Sequence, residues 1–108
     1  MAQITYSPPA KEAARLLGAR IRLSRKERRW TVGQLAERVG VTEGTLRKIE
    51  QGKLSVSLGA ALEAAVLVGV PLFDQDPARR TLEMGRVEDR LALLPARTRE
   101  PRLTKNDF

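Results

Sequence analysis

The chain has 108 residues, 42% of them hydrophobic and only 4% aromatic, and carries a net charge of +7 with no cysteine and no histidine. That length holds one small domain plus tails. The missing cysteines and histidines exclude disulfides and thiolate or imidazole metal sites, and they remove the commonest general base; no enzymatic activity, cofactor or metal is expected. Leucine, alanine and arginine dominate and favour an all-α fold.

The positive excess is uneven. Residues 1–73 hold 12 lysines and arginines against 6 acids, whereas residues 74–108 hold 8 against 7. A field of this kind attracts polyanions, nucleic acid first among them. The most apolar run, "AAVLVGVPLF", is about half of the roughly 20 residues that cross a bilayer, and no basic start leads into an apolar leader. A cytoplasmic, nucleoid-associated protein without membrane contact is expected.

After an N-terminal arm, 1–9, "SPP" signals a helix start, with Ser7 as the capping hydroxyl and prolines fit for the first turn. The first helix is expected from about Lys11 to Arg28, with Leu17, Ile21 and Ser24 on one face. Thr31 followed by Gln34 is a capping-box pair that opens a second helix, and Gly40 ends it. Thr42 caps a third, Glu43 to about Gln51, closed by Gly52. Ser57 caps a fourth that ends at Gly69. Leu82, Val87, Leu91 and Leu94 predict a last amphipathic helix, about Pro77 to Leu93, within a segment 74–94 suited to dimerisation. The tail, 95–108, has two prolines and too few apolar residues to offset its ordering entropy, so a flexible segment is expected there.

Within "LAERVGVTEGTLRKIEQG", two short helices flank a turn that contains glycine, the pattern of a DNA-binding helix-turn-helix. Ala36 is small where the helices must cross, Gly40 supplies the turn, and Leu35, Val39, Val41, Leu46 and Ile49 fill the shared interior. From Leu17 to Phe73 the chain resembles the Xre family of phage-repressor and Cro-type helix-turn-helix proteins. The resemblance implies a five-helix domain over 10–73 followed by the C-terminal helix and tail. It also implies double-stranded operator DNA as partner, with the third helix in the major groove and a homodimer reading half-sites about 34 Å apart.

Carried over by position, the resemblance makes Thr42, Glu43, Gly44, Arg47 and Lys48 base readers and Thr45 a phosphate contact. Phosphates supply affinity while base edges supply specificity, so an acid on the reading helix is no contradiction. Glu43 can accept from cytosine N4, and Arg47 or Lys48 can reach guanine O6 and N7. Glu43 has a second reading, as an acid favoured by the helix N-terminal dipole. Where the family places a phosphate-clamping glutamine, this chain has Val32, so Thr31, the free N–H groups behind it, Arg38 and Lys53 are expected to compensate. Arg25 and Glu50 match a family ion pair between the first and third helices. Trp30 stands where the family has leucine and reads as core.

Past residue 52, "GKLSVSLGAALEAAVLVGVPLF", "RLALLPARTR" and "NDF" are similar to HipB-like antitoxins, which implies autorepression of an operon and a HipA-type serine/threonine kinase toxin as second partner. The tail, with Leu103 and Phe108 as isolated apolar anchors, fits either folding on a partner or a solubilising role. Two alternatives stand beside the antitoxin: a stand-alone regulator of the same fold, and a protein-interaction module that inhibits its partner without reading DNA.

Overall fold

The structure, a computed structural model, describes residues 3–96. Among them the fold is all-α, with five helices: α1 (Pro8–Glu27), α2 (Val32–Val39), α3 (Glu43–Glu50), α4 (Leu58–Leu67) and α5 (Pro77–Ala92). The chain divides into two compact units between Leu72 and Phe73. The first holds α1 to α4; between Val70 and Asp76 there is no helix, and the fifth helix is α5 in the second unit. From residue 97 on, the expected flexible tail lies outside the described residues.

Each helix of the first unit begins at a side-chain cap. Ser7 Oγ accepts from the Ala10 N–H at 3.3 Å, and α1 starts at Pro8 rather than near Lys11, because prolines fill first-turn positions whose N–H groups would be unpaired anyway. Ser57 Oγ accepts from the Ala60 N–H at 3.1 Å to open α4. The end of α1 is made without glycine: Arg29 takes φ +60° so that the Trp30 N–H can reach back to the Arg25 carbonyl at 3.1 Å. A left-handed residue with a β-carbon costs about 1–2 kcal/mol, and the packing of Trp30 against the core offsets it.

Ile21 from α1, Leu35 and Ala36 from α2, Leu46 and Ile49 from α3, and Ala61, Ala64 and Ala65 from α4 form one buried cluster, completed by Val68 and Val70. Ile21, Leu35 and Leu46 are wholly removed from solvent, and each contributes roughly 1.5–3 kcal/mol of burial. α3 packs on both α1 and α2, and α4 packs on the same two helices from its alanine face. Gly18 sets the α1–α3 distance: a β-carbon there would run into the backbone carbonyl oxygens of Ile49 and Glu50. Arg28 Nε donates to the Val68 carbonyl at 3.1 Å and ties the end of α1 to the end of α4.

In the second unit, Asp76 Oδ1 accepts from the Ala78 N–H at 3.0 Å and caps α5, which starts at Pro77. No residue of α5 is buried. Its apolar stripe differs from the expected one. Leu82 and Leu91 are nine residues apart, about two and a half turns, so they face opposite ways. Met84, not Leu82, lines up with Val87 and Leu91, and Met84, Val87 and Phe73 wall a cavity of about 300 Å³ with Arg80 and Glu83. Among the described residues, no helix is long and apolar enough to cross a membrane and no cluster of three or more acidic side chains is placed to hold a metal ion.

Candidate nucleic-acid interface

The turn between α2 and α3 is tight because Gly40 sits at φ +89°, which lets two successive N–H groups, of Gly40 and Val41, bond the Ala36 carbonyl at 2.8 and 3.0 Å. Ala36 is itself buried where the two helices meet. Thr42 then starts α3: its Oγ1 accepts from the Thr45 N–H at 3.1 Å and is 3.1 Å from the Thr45 hydroxyl. Leu46, Ile49 and Glu50 turn inward, leaving Glu43, Gly44, Arg47 and Lys48 exposed on the other face, with Thr45 half-buried between them.

α2 begins with the reciprocal cap expected of Thr31 and Gln34. The Gln34 N–H donates to Thr31 Oγ1 at 3.1 Å, and the Thr31 N–H donates to Gln34 Oε1 at 2.8 Å. The first N–H groups of α2 have no partner inside the helix and form a positive end that suits an anion. Val32, in place of a clamping glutamine, is half-buried against the core.

What holds α3 to α1 is a bidentate ion pair. Arg25 Nε donates to Glu50 Oε2 at 2.7 Å and its second terminal nitrogen to Oε1 at 2.9 Å, while the remaining one donates to the Trp30 carbonyl at 2.8 Å. Both side chains are almost wholly buried, 7% and 5% exposed. The hydrogen bonds to Glu50 raise the Arg25 pKa above its ordinary range, against the opposing effect of burial. Glu50 is therefore occupied with architecture, as the sequence suggested.

A concavity of about 390 Å³ opens beside this pair, lined by Arg22, Arg25, Val32, Arg47, Glu50 and Gln51. It brings α1, the start of α2 and α3 to one surface. Arg22 and Gln51 escape a reading confined to the helix-turn-helix stretch; the only hint in the sequence is that Arg22 lies one helical turn before Arg25 and so shares its side of α1.

The expected site residues fall into two groups. Thr31 caps α2, Thr42 caps α3, Glu43, Gly44 and Thr45 form the first turn of α3, and Arg47 and Lys48 lie in its last turn. Lys53 follows at the end of α3, where its N–H bonds the Lys48 carbonyl at 2.9 Å and Gly52 takes φ +78°. Arg38 makes up the second group. It lies in the last turn of α2, with its guanidinium carbon 4.1 Å from the centre of the Trp30 ring, and Arg28 also approaches that ring at 5.6 Å. Arg47 and Glu43 form an ion pair at 3.2 Å, both more than half exposed. Such a pair contributes about 0.3–0.5 kcal/mol.

A family model described as a helix-turn-helix domain matches residues 16–82, from α1 into α5. No curated protein sequence matches the chain.

Proposed function

The chain belongs to the helix-turn-helix domain family, and on that premise we propose that it is a sequence-specific transcriptional repressor that binds operator DNA as a homodimer. The observation that carries this reading is the division of α3. Leu46, Ile49 and Glu50 anchor it in the core, while Glu43, Gly44, Arg47 and Lys48 stand on an exposed face one helix wide. A capped helix presented this way fits the major groove, where Arg47 and Lys48 donate to guanine O6 and N7 and Glu43 accepts from cytosine N4.

Affinity comes from the surroundings. Thr31 and the N–H groups at the start of α2, Thr42, Thr45 and Lys53 supply phosphate contacts, with Arg22 and Gln51 extending that surface onto α1 and the end of α3. Arg38, over the Trp30 ring, is a further candidate phosphate contact. The dimer forms through residues 70–94, supported by the exposed stripe of Met84, Val87 and Leu91 on α5.

In the fuller form of the reading the repressor is a HipB-like antitoxin that controls its own operon and holds a HipA-type kinase, and similar phrases in the sequence past residue 52 support this part. Gel-shift of the full chain against DNA upstream of its own gene tests the DNA role. A complex that survives excess random duplex is expected. Co-purification with a kinase encoded beside the gene tests the antitoxin role: retention of DNA binding without any kinase complex leaves a stand-alone regulator, and a kinase complex without DNA binding leaves an interaction module.

A further inference from the structure

Gly33 is the second residue of α2, and it faces the first residue of α3. A β-carbon built on Gly33 would lie 2.9 Å from Glu43 Oε2 and 3.4 Å from Glu43 Cδ, too close for the carboxylate to stay where it is. The other carboxylate oxygen, Oε1, accepts from Arg47 at 3.2 Å. The Glu43 carboxylate thus fills the space that a side chain on Gly33 would take, and it pairs with the guanidinium of Arg47. It also lies at the first turn of α2, where the dipole favours a negative charge.

We propose that Gly33 is a specificity-determining residue of the DNA interface: its missing side chain seats the Glu43 carboxylate against α2, and the seated carboxylate holds Arg47 so that the two side chains read bases as one unit. This rests on the reading of α3 as the helix that meets base edges. The physical reason is economy of freedom. Glu43 and Arg47 are exposed and long, and each loses rotamer entropy on reaching a base. A carboxylate already seated, with its arginine directed by it, has lost part of that freedom before DNA arrives. An acceptor and a donor one helical turn apart then match a cytosine N4 and a guanine O6/N7 on neighbouring base pairs.

Gly33→Ala separates this role from a structural one. The clash meets only the flexible end of a side chain, and alanine is the better helix former, so the variant is expected to unfold at the same temperature or higher. Full-length wild type, Gly33→Ala, Gly33→Ser and Glu43→Gln are each used to select bound sequences from a pool of randomised duplexes.

Both Gly33 variants are expected to relax base preference about tenfold at the one or two base pairs that Glu43→Gln also relaxes. The double variant Gly33→Ala/Glu43→Gln should relax it no further. Selection of the wild-type site by folded Gly33 variants with undiminished preference overturns the proposal and leaves the DNA-binding reading intact, as does a uniform loss of affinity at every base pair. A wild type that enriches no sequence at all removes the DNA-binding reading, and this one with it.

Discussion

Replacing Glu50 with alanine leaves the Arg25 guanidinium buried with two of its three bonding directions empty, since the contacts at 2.7 and 2.9 Å vanish and only the one to the Trp30 carbonyl remains. Breaking one side of a buried pair costs about 3–5 kcal/mol, because an uncompensated charge stays inside. For a domain this small, each 1 kcal/mol moves the unfolding midpoint by about 4–8 °C, so Glu50→Ala should lower it by at least about 12 °C. The double variant Arg25→Met/Glu50→Leu removes both charges and should be less costly than the single one, losing mainly the Trp30 carbonyl's partner, about 1–3 kcal/mol.

The penalty should also be steady across neutral pH, where Arg25 stays charged. A basic group whose folded pKa is raised stabilises fully below its unfolded pKa and loses that effect only as pH rises through the folded value, which for Arg25 lies beyond the ordinary arginine range. Thermal unfolding followed by circular dichroism from pH 5 to pH 9 on the order of one-unit steps covers the window in which Arg25 stays charged. A shift of less than about 4 °C for Glu50→Ala, or a double variant as damaged as the single one, would refute the view that this pair clamps α3 to α1.

Gly18→Ala places a β-carbon against the Ile49 and Glu50 carbonyls and should cost about 1–3 kcal/mol, whereas Gly59→Ala, in open space on α4, should gain about 0.5–1 kcal/mol; equal melting temperatures for the two would contradict the close α1–α3 approach. Arg47→Ala and Lys48→Ala should each cost about 1–3 kcal/mol at a cognate site and relax preference at one base pair, read from paired titrations of cognate and random duplex. An unchanged ratio for both variants removes them from readout. Sedimentation at micromolar concentration should show a dimer that Leu91→Glu splits and Leu82→Glu does not, because only Leu91 lies on the stripe with Met84 and Val87; a monomeric wild type would end the proposal of an α5 dimer.

The parts legible in the sequence were those decided within a few residues. Thr31 with Gln34, Thr42, Ser57 and Gly40 announce helix ends because a cap or a left-handed turn is local chemistry, and the structure has each where it was read. The Arg25–Glu50 pair, 25 residues apart, came from the family resemblance and not from any local signal. Contacts between elements stayed hidden. Nothing in the spacing says that Gly33 would lie under Glu43, or that Arg22 and Gln51 would share a surface with Val32. Arg29 carries no mark of its left-handed backbone, since the usual glycine signal is absent. Met84 escapes a stripe drawn through Leu82, whose five-residue step to Val87 leaves the helical face.

The most direct test of DNA reading is a salt titration of full-length protein against two duplexes of equal length, one taken upstream of its gene and one with the same bases shuffled. A dimer that neutralises roughly 6–10 phosphates should lose about 10³–10⁵ in affinity between about 50 and 200 mM salt, linearly in the logarithms. The upstream duplex should bind at least about 10³ more tightly than the shuffled one near physiological salt. Equal affinity for the two duplexes at every salt concentration, or no salt-dependent binding to either, would contradict the assignment of α3 as a sequence-reading helix.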